Sequence, residues 1–319
     1  MKKFSVVIPV YNRPEEIQEL LESLTSQTFQ NFEVLIIEDG SINKADKIAA
    51  EFATRLDLKY FYKENTGQGF SRNYGFERAS GDYFIVFDSD AVIPPKYFET
   101  VDKYLTHTPL DAFGGPDAAS PDFSPLQKAI SYSMTSIFTT GGIRGKKKGV
   151  GNFQPRSFNM GISRQTFEKT GGFAKRDMGE DVEFSLRMQS LGLKVGLIEE
   201  AFVYHKRRGD FRAFFKQVFS FGRTRILLKK YNPDILKLIH AFPAVFTIGC
   251  LLIPVFYLTF KPFFYAGMSI LLIYNLLILL DSSLKHKNIY IGFLSLVAVY
   301  VQLVGYGLGF LKELLLPSK

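Results

Sequence analysis

A chain of 319 residues, 46% of them hydrophobic, has room for one α/β domain of ordinary size and a further element. Its net charge of +8 suits anionic lipid, phosphorylated ligands or nucleic acid. With no zinc-ligand spacing and no RNA-binding aromatic signature, nucleic acid is set aside, and the single cysteine, Cys250, excludes an internal disulfide and is compatible with a reducing compartment.

The opening residues MKKFSVVIPVYNRPEE do not read as a secretion signal, because the apolar run is short, broken by Pro9 and followed by charge. They read as a first strand. Runs rich in Val, Ile and Phe predict strands over Phe4–Pro9, Phe32–Ile37, Leu58–Tyr62 and Tyr83–Phe87. Amphipathic stretches predict helices over Pro14–Gln27, Asn43–Leu56 and Gly69–Ala79 between them. Near-continuous apolar strands alternating with helices point to a mostly parallel sheet buried on both faces. Such sheets bind ligands beyond the carboxyl ends of their strands.

Those ends carry the informative residues. After the first strand come Tyr11, Asn12 and Arg13, and after the second Glu38, Asp39, Gly40 and Ser41. The third leads into Asn65-Thr66-Gly67-Gln68-Gly69 and then Arg72, and the fourth into Asp88-Ser89-Asp90. Carboxylates, an arginine, tight glycine turns and an aromatic ring suit a nucleotide. The spacing of Asp88 and Asp90 suits a hard cation such as Mg²⁺ or Mn²⁺ shared with substrate phosphates; the competing reading is an Asx-capped turn before Pro94. Loops are expected around Gly114–Asp117 and Phe158–Gly161. The run Arg144–Lys148 is either a lid over a diphosphate or a solvated loop.

Gly179-Glu180-Asp181 opens a helical segment in which Phe184, Met188 and Leu191 share a face. Its acids either cap the helix and favour its dipole or place a base against an acceptor hydroxyl; position alone leaves both open. His205 follows a predicted strand, Ala201–Tyr204, as a candidate metal ligand or diphosphate partner. The segment Phe211–Leu228 mixes Phe and Leu with Arg and Lys and suits a headgroup layer, where it would bring a lipid-borne acceptor to the site.

Beyond Lys237 charge nearly vanishes. Three stretches, Leu238–Phe260, Pro262–Leu280 and Asn288–Leu311, lack Asp, Glu, Lys and Arg and match the roughly 20 residues that cross a bilayer as helix. Basic flanks before the first and at Lys285-His286-Lys287 put the N-terminal domain and that turn in the cytosol, with the C-terminal tail outside. Gly305 and Gly309 have the spacing of close helix packing. The expected organisation is a domain over 1–204, a basic amphipathic segment over 205–236 and a three-helix membrane anchor over 237–319.

The strings SVVIPVYNRPEEI (5–17), FEVLIIEDGS (32–41), NTGQGFSRNYG (65–75), DYFIVFDSDAVIPP (82–95) and GGFAKRDMGEDVEFSLRM (171–188) together resemble the family 2 glycosyltransferases. The likeness covers most of residues 1–230 in the family's order. It implies a GT-A nucleotide-sugar-binding domain and inverting transfer from a nucleotide-diphospho-sugar, with Mg²⁺ or Mn²⁺; the flanking charges set this domain at the cytosolic side of the inner membrane. By matching motif, Asp181, with Glu180 beside it, is the general base. Pro9, Tyr11, Arg13, Glu38, Asp39, Gly67, Arg72, Asp88 and Ser89 bind substrate, and Asp88, Asp90 and His205 are the metal set. Glu38 departs from the Asp commoner in the family. The Arg-Trp motif of processive members is absent, with Gln217 to Arg223 as nearest counterpart, which favours one addition per encounter. A Glu-Asp helix is superfluous for a polyprenyl-phosphate acceptor, already ionised, so a hydroxyl of a lipid-linked or glycan acceptor is expected. The alternatives are a polyprenyl-phosphate glycosyltransferase and a non-catalytic nucleotide-sugar-binding subunit of a membrane assembly or transport complex.

Overall fold

The structure, a computed structural model, describes residues 1–118, 120, 122–140, 153–229 and 236–317. The run Arg144–Lys148 lies outside the described residues. The chain divides into two compact units, Met1–Ser120 with Gly145–Lys206, and Pro121–Arg144 with Arg207–Lys319.

The first unit is built on β1 (Phe4–Val10), β2 (Phe32–Asp39), β3 (Leu58–Lys63) and β4 (Tyr83–Phe87), four parallel neighbours in the order β3-β2-β1-β4. Short β5 (Ala91–Val92), β6 (Ala112–Gly114) and β7 (Asp117–Ala118) follow, then β8 (Asn159–Ser163), β9 (Val195–Leu197) and β10 (Val203–His205). β8, β6 and β9 complete a seven-stranded sheet in which β8 runs antiparallel to both β4 and β6. A small second sheet orders β5-β10-β7.

Alternation along the strands decides which face each side chain takes. Val6, Ile8, Val34 and Ile36 bury one face beneath α1 (Pro14–Thr25), α2 (Asp46–Phe52) and α4 (Tyr97–His107), through Ile17, Leu21, Phe52, Phe98 and Val101. Val7, Leu35, Ile37 and Phe84 bury the other with Phe76 of α3 (Gln68–Phe76) and with Phe184 and Met188 of α8 (Glu180–Ser190). The remaining helix among the described residues of this unit, α7 (Arg164–Thr170), leads out of β8. The expected strands are therefore present, one to two residues longer at the ends of β1, β2 and β3. The second and third helices are shorter than their polar flanks suggested.

In the second unit α5 (Pro125–Thr135), with a Ser124–Gln127 capping box, and α6 (Ile137–Thr140) join α9 (Phe211–Lys229), α10 (Phe242–Thr259), α11 (Lys261–His286) and α12 (Ile289–Leu315). Leu238–Thr259, Lys261–His286 and Ile289–Leu315 are long and apolar enough to cross a membrane, consistent with anchoring in one. The second runs past Leu280 and carries Asp281 and Lys285 in the same helix.

One buried charge near the amino ends of the strands fixes the parallel register. Glu33 of β2 is fully buried and accepts from Ser5 Oγ of β1 (2.7 Å), Ser80 N (2.6 Å), Ser80 Oγ (2.7 Å) and Lys59 Nζ of β3 (2.8 Å). Burial alone would raise its pKa, but these donors outweigh it and hold the carboxyl at about 2, well below its ordinary value of 4.5. A depressed carboxylate stabilises the fold above its unfolded pKa, and that stability is lost as pH falls through the folded value. Glu33→Gln is therefore expected to cost about 2 kcal/mol at neutral pH. The deficit should be constant above about pH 4.5 and fade towards pH 2. Thermal melts of the detergent-purified full chain across that range check it; a gap that persists at pH 2 would refute the assignment.

Candidate active site

The carboxyl ends of β1, β2 and β4 meet at one edge of the sheet, and their turns are tied together by side chains. Asn12 takes a positive φ of 54° and its Oδ1 accepts from Ile42 N (2.8 Å) and Asn43 N (3.1 Å). Glu38 is fully buried, accepting from Ser41 Oγ, from Ala45 N (2.8 Å) and from Tyr60 OH (3.2 Å). A glutamate here reaches across the turn that follows β2.

Asp39 closes β2 and is 4% exposed. Its carboxylate accepts from Thr66 N and Gly67 N (both 2.9 Å) and from Lys63 Nζ. Burial works against ionisation, yet Lys63 and Thr66 prevail and hold its pKa below the usual carboxylate value. Gly67 sits at φ 89°, where a Cβ would lie 2.2 Å from Arg176 Cγ, so only glycine fits this turn. Tyr11 stands 54% exposed beyond β1. Arg13 reaches Glu16 (3.1 Å) and Asp90 (3.7 Å), and Ser89 Oγ donates to Glu16 Oε2 at 2.9 Å. Pro9 lies inside β1, one residue before its end.

The fourth strand end holds a cluster of possible metal donors. Asp88, Asp90 and His205 each turn one ligand atom into a space where all three atoms lie within 4.8 Å of one another. His205 Nε2 is 2.9 Å from Asp90 Oδ1 and 4.0 Å from Asp88 Oδ2. His205 is the last residue of β10 rather than a residue beyond it, and the β10–β5 pairing sets it opposite Ala91. The Phe158 ring stacks on the imidazole at 4.9 Å with planes 13° apart, which fixes its orientation. Two carboxylates and an imidazole form a donor set suited to a divalent cation; the carboxylates favour Mg²⁺ or Mn²⁺, and the imidazole is better matched to the latter.

Behind this cluster lies Arg72, fully buried on α3. One amino group donates to Asp88 Oδ1 (3.0 Å) and the other to Glu180 Oε1 (2.9 Å), which also accepts from Gln68 Nε2 (2.8 Å). Phe173 covers the guanidinium at 5.2 Å. Burial disfavours the cation, but Asp88 and Glu180 raise its pKa above the ordinary value, so it stays charged. Glu180 responds oppositely: burial and then the neighbouring Asp181 push its pKa up, against the pull of Arg72.

Asp181 takes the second position of α8, whose N-cap Gly179 has φ 86°. Its Oδ1 accepts from Val182 N (2.7 Å), Arg156 lies 3.6 Å from Oδ2, and its side chain is 18% exposed. Glu180 turns inward to Arg72 while Asp181 stays reachable from solvent.

Sequence reading named Gln68 only as part of its glycine turn and did not single out Lys63 or Arg156. Each lies within or beside a named motif, yet its partner is remote in sequence. The stretch Phe158–Gly161 was expected as a loop; residues 159–161 form part of β8, and Asn159 is buried between Tyr97 OH (2.5 Å) and Ala201 O (2.8 Å).

Among curated proteins, the chain is 26% identical over 260 residues to the glycosyltransferase AglE of Haloferax volcanii, covering 80% of this chain and 83% of that protein. It is 38% identical over 113 residues to an uncharacterized glycosyltransferase of Rickettsia conorii, of whose length it spans only 19%. The minor teichoic acid biosynthesis protein GgaB of Bacillus subtilis is 25% identical over 213 residues, 65% of this chain and 23% of that one. Among solved structures, the mannosyltransferase PcManGT of Pyrobaculum calidifontis, in complex with GDP-Man and Mn²⁺, superposes with a TM-score of 0.61 at 16% identity. That match covers 98% of this chain and 87% of the other. Staphylococcal TarS with UDP-GlcNAc gives 0.52 at 19% identity, covering 94% and 90%. Both likenesses show the fold, which is of the GT-A kind followed by helices able to span a membrane. The model of glycosyl transferase family group 2 matches residues 154–306. With that of glycosyl transferase family 2 matching residues 5–171, just over half of its length, the chain belongs to glycosyl transferase family 2.

Proposed function

We propose that this glycosyltransferase is inverting and metal-dependent, and moves one sugar from a nucleotide-diphospho-sugar to a hydroxyl of a lipid-linked or cell-surface glycan at the cytosolic membrane face. The observation that carries this reading is the Arg72 joint. One buried guanidinium sets the first carboxylate of the Asp88-Ser89-Asp90 turn and the Glu180-Asp181 helix in fixed relation. A donor-side cluster and a candidate base are thereby held as one unit.

In this reading the nucleoside occupies the edge formed by Pro9, Tyr11, Arg13, Glu38, Asp39 and Gly67, with Ser89 beside the ribose. A Mg²⁺ or Mn²⁺ ion held by Asp88, Asp90 and His205 would offset the charge on the departing diphosphate. Asp181 accepts the acceptor hydroxyl proton as that oxygen bonds to the anomeric carbon. The carbon–oxygen bond to the diphosphate breaks with its electron pair leaving on the nucleotide, and the configuration inverts. Glu180 keeps Arg72 in place. GDP-Man and UDP-GlcNAc in the solved relatives support the donor class. The teichoic acid role of GgaB supports a surface glycan as product. The apolar helices support work at a membrane.

The test is transfer of radiolabelled sugar from a donor panel into membrane lipid extracts by the full chain. Asp181→Asn is expected to lower turnover about 10²–10⁴-fold, the usual loss on removing a general base, with nucleotide binding kept. Undiminished transfer to bare polyprenyl phosphate by that variant would move the assignment to a polyprenyl-phosphate glycosyltransferase. Nucleotide binding without turnover on every acceptor would leave a non-catalytic subunit. Asp90→Ala is expected to abolish transfer at ordinary Mn²⁺, and a chelator is expected to do the same to the wild type.

Arg72→Lys separates positioning from general destabilisation. Lysine is a point charge on a flexible stem and does not span two carboxylates as a planar fork does. Breaking a buried pair typically costs about 3–5 kcal/mol, and Lys retains part of that. The readout specific to positioning is the Mn²⁺ dependence of transfer, whose half-saturation should rise about tenfold or more as Asp88 loses its orientation. An unchanged metal dependence in a folded variant would show Arg72 to be structural only.

A further inference from the structure

The three apolar helices of the second unit do not share one environment. In the windows that qualify them as spans, 44% of α12 residues are buried within the protein, against 11% for the first helix and 6% for α11. Along α11 and α10, Leu251, Leu258, Tyr265, Ile270 and Leu272 are each more than half exposed. α12 instead buries Ala298, Val299, Gln302, Leu303 and Glu313.

The directions of packing explain the difference. α10 and α11 form an antiparallel hairpin: Phe256 meets Phe263 (5.5 Å), Ile253 lies against Gly267, and Phe246 meets Tyr274 (6.0 Å). The start of α10 and the end of α11 therefore share one end of the hairpin. A third spanning helix after α11 would climb back towards Lys261. α12 does not. Its beginning touches the end of α11, with Gly292 against Leu279 and Ser283 and with Ser295 Oγ 2.7 Å from Ser282 Oγ. Its later part lies against the beginning of α10, with Gly307 on Pro243 and Thr247 and with Phe310 clustered with Ala244. Both ends of α12 thus touch the same end of the hairpin. Part-way along, Tyr300 OH donates to Asn275 (3.0 Å), six residues from Asp281 and so about 9 Å along the axis.

Along its second half α12 carries α9 in parallel. Gly305 receives Phe215 and Val218, the Gly309 position abuts Phe219 O, Gly222 abuts Tyr306 O, and Arg223 pairs with Glu313 at 3.0 Å. α9 bears five cations, Arg212, Lys216, Arg223, Arg225 and Lys229. A helix this charged is at home in the headgroup layer and is expelled from hydrocarbon. What is locked against it stays there too.

We infer that α10 and α11 alone cross the bilayer, as a hairpin, and that α12 lies across the base of that hairpin in the interfacial layer with α9. Lys261 and Asp281 bracket an uncharged stretch of about 30 Å along α11, the thickness of the hydrocarbon core. The far turn is ringed by Tyr257, Phe260, Phe264 and Tyr265, an aromatic belt suited to the opposite interface, beside the snorkelling Lys261. The near end carries the basic Lys285 and Lys287. The C-terminus then stays on the side of the Lys287 turn, opposite to the sidedness that three crossings would give.

Cysteine accessibility in the full-length protein tests this. In a Cys250→Ser background, single Lys261→Cys, Lys287→Cys and Pro317→Cys variants are expressed in bacterial cells and shown to react with maleimide in detergent. Tyr265→Cys and Leu316→Cys stand in should the first or last fail to accumulate. A membrane-impermeant maleimide applied to intact spheroplasts is expected to label only the Lys261 position, with labelling of the other two lost until the membrane is opened. Outside labelling at Pro317 together with Lys261 would restore three crossings and overturn the inference. Absence of outside labelling at all three would mean that the hairpin does not cross, which also overturns it.

Discussion

A positive charge buried without water must be met by negative charge at close range, and Arg72 meets that demand with two carboxylates from different parts of the fold. Asp88 arrives at the end of a central strand and Glu180 at the start of a helix 108 residues from Arg72 in sequence. Neither arrangement tolerates much movement, because the guanidinium fork is rigid and Phe173 closes the space over it. The metal-suited cluster in front and the Asp181 helix beside it inherit that rigidity. The raised pKa of Glu180 follows from the same geometry: its carboxyl is buried, Asp181 stands beside it at the helix start, and Arg72 balances only part of this.

The central strands were legible from sequence because doubly covered parallel strands are written as unbroken apolar runs, as in FEVLIIED and YFIVF. The site edge followed from them, since ligand residues in such sheets gather at strand ends. Strands of two residues were not legible. β5 and β7 carry too few positions for any period to appear, and β10, expected over Ala201–Tyr204, begins two residues later and takes in His205 as its last residue. Burial of Arg72 was equally hidden. In NTGQGFSRNYG the arginine reads as a substrate contact, and only folding brings its two acids to it.

The apolar third of the chain shows a different limit. Hydropathy reads one helix at a time and grades α12 with α10 and α11, although one is sheathed by protein and two are not. The glycines carry the missing information. Gly305 and Gly309 point to a neighbour at backbone distance, but they do not say that the neighbour is the cationic α9 rather than another apolar span. Pair distances, rather than composition, distinguish a helix immersed in lipid from one covered by its own chain.

The reversed strand β8 has a bearing on how the sheet accommodates change. Lying against the direction of β4 and β6, it offers its entrance, Asn159, at the edge where its neighbours have their exits. Phe158 and Arg156, immediately upstream, therefore belong to the site, while Ser163 at the other end pairs with Tyr83 at the far margin. Residues added just before Asn159 would enlarge the rim around His205 and leave every ladder pairing in place. The same addition after Ser163 would alter the opposite margin and leave the rim untouched. Variation in length is thus channelled to one side of a single five-residue strand, which lets the rim be remodelled without re-threading the sheet.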